Sequence, residues 1–463
     1  MDKTKKLIYI VVLAVIVIFS FGGAISRFFT DTAFDDTIVI EGGHILTPDF
    51  EVREADVLID RPAGVVLDVD DDLDGDERLD ATDSLVMPGL VNAHTHVAMT
   101  LLRGYADDKP LDAWLQEDIW PVEAELTPAD IRVGTELGLV EFIKNGITGF
   151  ADSYFEVPEI AAATEESGLR ANLCHAFISV GKDDEGARAD AQEGLDIARE
   201  FDGAADGRIT TALMPHSLTT VETEYLEEFV PQAREAGVPL HFHANETENE
   251  VEPIVDDHGV RPLEYADDLG MLTDEDFLAH CVHVDETEID LLAETGASVI
   301  HCPASNMKLA SGIAPIQELL DAGVNVGLGT DGAASNNDLD LFDEIRDAAM
   351  LGKLARGDAR DVAAESAVRM ATEGSAAAIG VPVGRIEAGG VADIAVVDFD
   401  APHLTPVHDY VSHLAYAVRG SDVRHTICDG EILMEDREVR TLDEAAIRER
   451  ASEHAADLVA RAE

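Results

Sequence analysis

The feature that most constrains the fold of this 463-residue chain is a regular alternation of apolar runs and helical segments through its middle. Apolar runs typical of buried strands start near Leu90, Ile147, Ala171, Ile209, Val238, Phe277, Ser298 and Asn325. Glycine closes six of the intervening helical segments, at Gly146, Gly168, Gly237, Gly270, Gly296 and Gly323, where a helix C-cap needs a positive φ. Eight strand–helix units predict an α/β fold with a (β/α)8 TIM-type barrel, and a doubly wound open sheet is the alternative.

Shorter strand patterns flank this middle region on both sides. They cover residues 37–40, 55–59 and 64–67 before it, and residues 392–398 and 423–428 after it. Two strand-rich pieces around a large middle predict one small β-sandwich domain built from both ends of the chain. We therefore predict a composite β domain over 31–87 and 381–440, a barrel over 88–380 and a polar C-terminal helix over 441–463.

The first thirty residues differ from the rest of the chain. Three lysines within the first six residues precede an uncharged stretch, 7–26, which Arg27 closes. About 20 apolar residues are enough to cross a bilayer, so we predict a membrane anchor over 1–30 with a single transmembrane helix. The alternative is a wrongly chosen start codon, because the recognisable domain begins near Thr37, and the protein is then expected in the cytoplasm.

The charge balance limits the partners. The chain has 94 acidic and 32 basic residues, a formal net charge of -62. Such a surface repels phosphate backbones, which makes nucleic acid an unsuitable partner. Because apolar runs recur along most of the chain, we interpret the acidity as a solvated, halophilic surface rather than as disorder.

Residues that carry chemistry stand at the ends of six of the eight predicted strands. In a barrel, the C-terminal ends of the strands converge on one mouth, so these side chains are expected to meet. In chain order they are His94 and His96, His216, the segment His241–Glu246, His280, His301 and Asp331.

Imidazole and carboxylate groups at one mouth suit a metal ion. Catalytic Zn²⁺ takes imidazole nitrogen and carboxylate oxygen and keeps one position for water. The predicted ligands are His94, His96, His243 and Asp331. His241 has the same strand parity as His243 and is the alternative ligand.

The neighbouring residues suit proton transfer. A bound metal lowers the pKa of its water to about 7 and so supplies a nucleophile at neutral pH. Glu246 lies just past the fifth-strand ligand and is predicted to move protons between water and substrate. His280 is predicted to stabilise the attacking group, and Asp331 to accept the remaining proton.

Several motifs give the chain a specific resemblance. The segments are Pro88–His96, Met99–Gly104, His243–Thr247, Ala279–His283 and Gly329–Gly332. With them the chain resembles the amidohydrolase superfamily over roughly residues 38–440, and within it the 5-methylthioadenosine/S-adenosylhomocysteine deaminases. The resemblance implies one zinc ion on the four ligands named above, with Fe²⁺ or another divalent ion as the alternative.

The same resemblance suggests residues that contact the substrate. Trp114 would cover a nucleoside, Glu123 would accept hydrogen bonds from its ribose hydroxyls, and His216 matches a substrate-binding histidine. Arg188 lies near a family arginine that meets the amino-acid end of the larger substrate. Glu246 and Asp331 would also face the substrate.

The resulting hypothesis is zinc-dependent hydrolytic deamination of an adenine nucleoside thioether by a protein that forms a homo-oligomer. Three alternatives remain. One is another amidohydrolase reaction, such as guanine or cytosine deamination or triazine dechlorination. Another is a binding protein that has lost turnover. The third is a two-metal site bridged by a carbamylated lysine, which is disfavoured because Lys109, Lys144, Lys182 and Lys308 all lie outside the apolar strands.

Overall fold

The computed structural model of the chain describes residues 36–462. Seven strands come first: β1 (Thr37–Glu41), β2 (His44–Leu46), β3 (Val52–Glu54), β4 (Asp56–Asp60), β5 (Val65–Asp70), β6 (Glu77–Asp80) and β7 (Ser84–Pro88). Along β4 the side chains of Val57 and Ile59 are buried while their neighbours are half-buried. This alternation is the pattern of a strand with one face on a core.

Eight parallel strands follow and form the centre of the molecule. They are β8 (Leu90–Thr95), β9 (Ile147–Tyr154), β10 (Arg170–Phe177), β11 (Ile209–Pro215), β12 (His241–Ala244), β13 (Phe277–His280), β14 (Ser298–His301) and β15 (Val326–Leu328). They pair in the order β8–β9–β10–β11 and β12–β13–β14–β15. Nearly all of their residues are buried, as expected for parallel strands covered by helices.

Two seams close these strands into a barrel. Between β11 and β12, Leu213 pairs with Leu240 and Ser217 pairs with His243, both in parallel. Between β15 and β8, the backbone N–H of Asp331 donates to the carbonyl of His94 at 3.0 Å. A Cβ atom at Gly329 would lie 2.8 Å from the Cβ of His94, so this close approach requires glycine.

Helices connect and cover the strands. The segments, including short 3-10 and π turns, are Val97–Leu102, Leu111–Trp114, Leu115–Ile119, Trp120–Glu123, Pro128–Lys144, Val157–Ser167, Asp184–Phe201, Ala204–Gly207, Thr223–Ala236, Glu248–His258, Pro262–Asp268, Glu286–Thr295, Pro303–Lys308, Ile316–Ala322, Leu341–Arg356, Ala364–Arg369, Met370–Gly374, Ser375–Ala378, Pro402–Leu404, Tyr410–Tyr416, Gly420–Asp422 and Glu444–Ala462.

Four more strands return to the first sheets: β16 (Ile394–Asp398), β17 (Val423–Cys428), β18 (Glu431–Glu435) and β19 (Glu438–Val439). One sheet is β5–β4–β1–β6, and the other, β19–β18–β17–β16–β7–β2–β3, combines strands from both ends of the chain. A buried apolar cluster joins them through side chains such as Ile38, Val57 and Ile394. The domain boundaries given above stay a prediction.

The fold-class prediction is wrong in its transmembrane helix. No helix between residues 36 and 462 is long and apolar enough to cross a membrane. The longest of them, Glu444–Ala462, carries charged side chains along its length, so it would expose them to lipid. The predicted anchor over 1–30 lies outside the described residues. The prediction of a membrane-anchored localisation is corrected together with the transmembrane helix.

Candidate metal centre and active site

Three imidazoles meet at the mouth of the barrel. The ring centroids of His94 and His96 lie 5.0 Å apart, those of His94 and His243 also 5.0 Å, and those of His96 and His243 5.5 Å. Asp331 reaches the same point from the end of β15, with its Oδ1 3.2 Å from Nε2 of His96 and 3.6 Å from Nε2 of His94. All four predicted ligands therefore converge, although they lie on three separate segments of the chain.

Hydrogen bonds on the far side of each ring fix which nitrogen faces the centre. Nδ1 of His96 lies 2.6 Å from the carbonyl of Ser153, and Nδ1 of His243 lies 2.7 Å from the carbonyl of His216. A carbonyl only accepts, so Nδ1 carries the proton in both rings. Their Nε2 lone pairs are left to face the centre, which is how histidine ligands are commonly oriented.

His94 is oriented by a second histidine. Nδ1 of His241 contacts the carbonyl of Phe277 at 2.8 Å, and its Nε2 lies 2.9 Å from Nδ1 of His94. Burial holds the pKa of His241 well below its usual range, so this ring is neutral. Its Nε2 therefore accepts a hydrogen bond from the Nδ1–H of His94. Both nitrogens of His241 are thus engaged, and it is unsuited to be the alternative metal ligand.

The donor set fits a divalent metal ion. Nε2 of His94 is buried and has no hydrogen-bond partner, a costly state for a polar atom unless something else binds it. Two overlapping triads, His94–His96–Asp331 and His94–His243–His280, each bring ligand atoms within 4.8 Å of one another. Imidazole nitrogen with one carboxylate is the chemistry of a catalytic zinc site.

Asp331 is held by its own shell of donors. It adopts a left-handed backbone conformation with φ of 60° directly after β15. The hydroxyls of Ser305 and Ser335 donate to its Oδ2 at 2.6 and 2.8 Å, which leaves Oδ1 to face the histidines. Burial opposes its ionisation, but the close contacts with His94 and His96 hold the pKa of Asp331 well below its usual range.

Glu246 and His280 face each other beside the metal ligands. Nε2 of His280 lies 3.6 Å from Oε2 of Glu246, while the hydroxyl of Ser311 donates to Oε1 at 3.0 Å. Burial, together with the charge of Asp331, raises the pKa of Glu246 to about 8. A carboxyl group with such a pKa can both take and release a proton near neutral pH.

His280 is oriented through its other nitrogen. Its Nδ1–H donates a hydrogen bond to Oδ1 of Asn306 at 3.0 Å. The lone pair of Nε2 therefore points toward Glu246. Burial lowers the pKa of His280 and favours the neutral ring. His280 has φ of 74° and Asn245, just before Glu246, has φ of 50°. Left-handed backbone at such positions is concentrated at functional sites.

The same mouth opens into a cavity of about 710 Å³, part of which is open to solvent. Trp114, Glu123 and His216 all line it, together with Glu246 and Asp331. The indole N–H of Trp114 donates to the carbonyl of Ala106 at 3.1 Å, so the ring is fixed. These predicted substrate-side residues are thus brought together with the predicted metal ligands.

Arg188 is not among the residues that line this cavity. It lies on the helix Asp184–Phe201, where its Nε donates to Asp184 at 3.1 Å and its guanidinium contacts Glu228. The guanidinium also lies 5.3 Å from the ring centre of Tyr225. The structure therefore gives it a pairing role on the outer helices.

The four lysines that could have bridged two metals lie away from the strands. Lys109 pairs with Asp118 at 2.5 Å, Lys144 with Glu444 at 2.8 Å, Lys182 with Asp190 at 2.5 Å and Lys308 with Asp107 at 2.8 Å. None of the eight barrel strands contains a lysine. A bridging lysine thus has no place in the barrel, which favours one metal over two.

Sequence reasoning missed two residues that line the cavity, Tyr154 and Glu250, and a third, Ser311, that contacts Glu246. Tyr154 ends β9, and the rule that strand ends carry function would have selected it. Glu250 accepts the backbone N–H of Glu246 at 2.8 Å, and its spacing from Thr247 reads only as a helix-capping pattern. Ser311 lies in a loop whose sequence carries no comparable signal.

Comparisons with known proteins agree with this geometry. A barrel with nitrogen and oxygen donors at its mouth suits metal-dependent chemistry. The model of the amidohydrolase family matches residues 85–433. This chain belongs to the amidohydrolase family, as its motifs predicted, and it is a hydrolase.

Individual relatives are similar over nearly the whole chain. A 5-methylthioadenosine/S-adenosylhomocysteine deaminase of Natronomonas pharaonis is 67% identical over 427 residues, which are 92% of this chain and 99% of the relative. Among solved structures, an adenosine deaminase from Xanthomonas campestris with bound zinc is 37% identical, with a TM-score of 0.86, over 91% of this chain and 98% of its own. An atrazine chlorohydrolase from Arthrobacter aurescens complexed with zinc is 26% identical, with a TM-score of 0.83, over 90% of this chain and 100% of its own.

Proposed function

We propose that this protein is a zinc-dependent deaminase of adenine nucleoside thioethers, 5-methylthioadenosine, S-adenosylhomocysteine or both. The substrate class is supported by the 67% identical deaminase and by the placement of Glu123 in the same cavity as Glu246. The carrying observation is the Glu246–His280 pair, which faces three histidines and Asp331 across a closed barrel mouth. One zinc ion per subunit, on His94, His96, His243 and Asp331, completes the proposal.

The reaction consumes one water for each C–N bond broken. Water adds to C6 of the adenine ring, the bond from C6 to the amino group breaks, and the products are the inosine analogue and ammonia. A divalent ion on the four ligands would make water a stronger nucleophile at neutral pH.

The protein's own side chains handle the protons. The carboxylate of Glu246 takes a proton from the attacking water and delivers it to the purine, since its raised pKa of about 8 suits both steps. His280, held by Asn306, stabilises the oxygen that attacks. Asp331 accepts the second proton of the water and passes it to the amino group, which leaves as ammonia.

Binding depends on the rest of the cavity. Trp114 presents a fixed ring to the nucleoside. Nδ1 of His216 lies 2.9 Å from the hydroxyl of Thr220, so its Nε2 is the nitrogen that faces the nucleoside. Glu123 accepts hydrogen bonds from the ribose hydroxyls. Arg188 is paired on the outer helices, so we do not assign it to the amino-acid end of S-adenosylhomocysteine.

A second candidate is a different amidohydrolase reaction on a heterocycle, such as guanine or cytosine deamination or triazine dechlorination. The likeness to the atrazine chlorohydrolase structure is the observation that favours it. Dependence of turnover on Glu123 and His216 would favour a ribose-bearing substrate over a bare ring.

Release of ammonia, or of chloride from the chlorotriazine, together with the change in ultraviolet absorbance decides between these candidates. The zinc-loaded protein is assayed on 5-methylthioadenosine, S-adenosylhomocysteine, guanine, cytosine and a chlorotriazine. We expect turnover of at least one of the two thioether nucleosides, with kcat/KM well above that of the bare rings. No turnover of either thioether nucleoside would reject the assignment.

A further inference from the structure

Tyr154 and Glu123 form a close polar pair inside the substrate cavity. The phenolic O–H donates to Oε1 of Glu123 at 2.5 Å, the short range typical of a hydrogen bond to a charged oxygen. Both side chains line the cavity, and Tyr154 is only 3% exposed. The pair is therefore positioned to meet a ligand, with Tyr154 buried and Glu123 half-buried.

The end of β9 holds two parts of the site at once. The carbonyl of Ser153 accepts the Nδ1–H of His96 at 2.6 Å, and the next residue is Tyr154. The ring centroids of His96 and Tyr154 lie 6.1 Å apart. Because adjacent residues of one buried strand make both contacts, the position of Glu123 is tied to the position of the predicted metal ligand.

Glu123 needs this contact because its own segment is irregular. It ends the short helix Trp120–Glu123, which follows a π-helical turn at Leu115–Ile119. Among the described residues, the hydroxyl of Tyr154 is the one side-chain group that hydrogen-bonds its carboxylate. Oε1 is thus held by the protein, and Oε2 is left to accept hydrogen bonds from a ligand.

We infer that Tyr154 is a positioning residue that sets recognition of the ribose 2′,3′-diol by fixing the carboxylate of Glu123. This inference rests on the proposed function, since it takes the ligand to be a nucleoside. Without the hydroxyl, Glu123 rotates and loses the orientation in which it accepts from the diol. The purine end of the cavity is unchanged, so the loss falls on nucleosides that carry the diol.

Binding measured without turnover tests the inference. Calorimetry in a Glu246→Gln background compares 5-methylthioadenosine with its 2′,3′-dideoxy counterpart, before and after Tyr154→Phe. We expect Tyr154→Phe to weaken binding of the diol-bearing nucleoside roughly tenfold, the effect of one charge-assisted hydrogen bond, and to leave the dideoxy compound unchanged. With Glu246 intact, KM for the diol-bearing substrate should rise while kcat changes little.

Two variants serve as controls. Tyr265→Phe removes a hydroxyl that contacts Thr223 at 2.7 Å outside the cavity, and it should change neither affinity. If Tyr154→Phe does not fold, Glu123→Asp withdraws the carboxylate from the hydroxyl and should lower the ratio of the two affinities in the same way. An unchanged ratio, or an equal loss for both compounds, overturns the inference. Absence of turnover in the parent enzyme with a normal ratio would instead reject the proposed function alone.

Discussion

At the scale of single residues, the proposed proton transfer depends on Glu246. Its carboxyl group is buried, contacts Ser311 and faces His280, while the metal ligands lie on other side chains. Replacing the carboxyl by an amide should therefore leave metal binding intact and remove the group that moves protons.

Glu246→Gln is expected to lower kcat by a factor of about 10² to 10⁴, the usual contribution of a positioned acid or base. The bound zinc, measured by atomic absorption, should stay at the level of the parent. Glu248→Gln, two residues on and exposed, is the matched control and should keep full activity. Full activity in Glu246→Gln would show that another group transfers the proton.

His241 is a second residue whose effect is specific. It accepts the Nδ1–H of His94 and so keeps the Nε2 lone pair of that ligand directed at the centre. His241→Leu removes the acceptor and is expected to weaken zinc binding by about 10- to 100-fold in a chelator competition, as for other groups that orient metal ligands. His241→Gln retains an acceptor oxygen and should recover part of the affinity. Equal affinity in the parent and His241→Leu would contradict this orienting role.

At the scale of elements, one buried carboxylate holds two side chains of the C-terminal helix. Oδ1 of Asp130 lies 2.8 Å from Nδ1 of His454, and its Oδ2 accepts from Arg461 at 2.6 Å. Asp130 also closes a capping box with Thr127 at the start of the helix Pro128–Lys144. The last helix thus depends on a side chain more than 300 residues before it.

Asp130→Asn should lower the free energy of unfolding by roughly 1–3 kcal/mol at neutral pH, because it weakens hydrogen bonds to a charged group. Burial opposes ionisation, but the hydrogen bonds from Thr127 and His454 lower the pKa of Asp130 below 3.8. A lowered folded-state pKa gives stability that is present above the unfolded value and is lost as the pH falls through the folded one.

Urea unfolding of the parent and Asp130→Asn between neutral pH and about pH 3 measures this effect. The difference between the two should be constant above about pH 5 and shrink below about pH 4. Asp457→Asn, which removes the exposed partner of Arg461, is the control and should cost much less. A difference that grows as the pH falls would contradict the assigned sign.

Much of the element pattern could be read from the sequence, for identifiable reasons. Predicted and observed strand starts agree at Leu90, Ile147 and Phe277, since parallel barrel strands are continuous apolar runs. The six glycines predicted to close helices have φ between 69° and 85°.

The remaining features depend on contacts that no local pattern encodes. The strand expected from Val238 starts at His241, because Pro239 lacks the N–H that a strand ladder needs. Arg188 was placed near the substrate by resemblance alone, and carboxylates of two helices hold it elsewhere. We inferred the membrane anchor from the length and hydropathy of residues 7–26. Among the described residues, no helix is both long enough and apolar enough to cross a membrane.

At the scale of the whole molecule, the excess of acid sets the dependence on salt. Acidic residues outnumber basic ones by 62, so repulsion between like charges exceeds what the basic residues can offset. The folded chain brings these charges together, and salt screens their repulsion, with a Debye length of about 10 Å at 0.1 M and about 3 Å at 1 M. Individual ion pairs also weaken with salt, but the excess of acidic residues is larger than the number of basic residues that can form such pairs.

We therefore expect the thermal unfolding midpoint to rise as KCl increases from about 0.1 M to about 1 M and beyond. Differential scanning calorimetry at constant pH measures it. A parallel series in sucrose, which strengthens burial without screening charge, serves as the control. Full stability in dilute buffer, with no further gain in salt, would contradict the halophilic interpretation.

Anomalous X-ray diffraction from zinc-loaded crystals locates the metal independently of activity and shows whether the four proposed ligands share one ion. We predict a single zinc peak per chain, with Nε2 of His94, His96 and His243 and Oδ1 of Asp331 about 2.0–2.2 Å away. Two peaks at the barrel mouth, or one peak that any of these four side chains fails to reach, would contradict it.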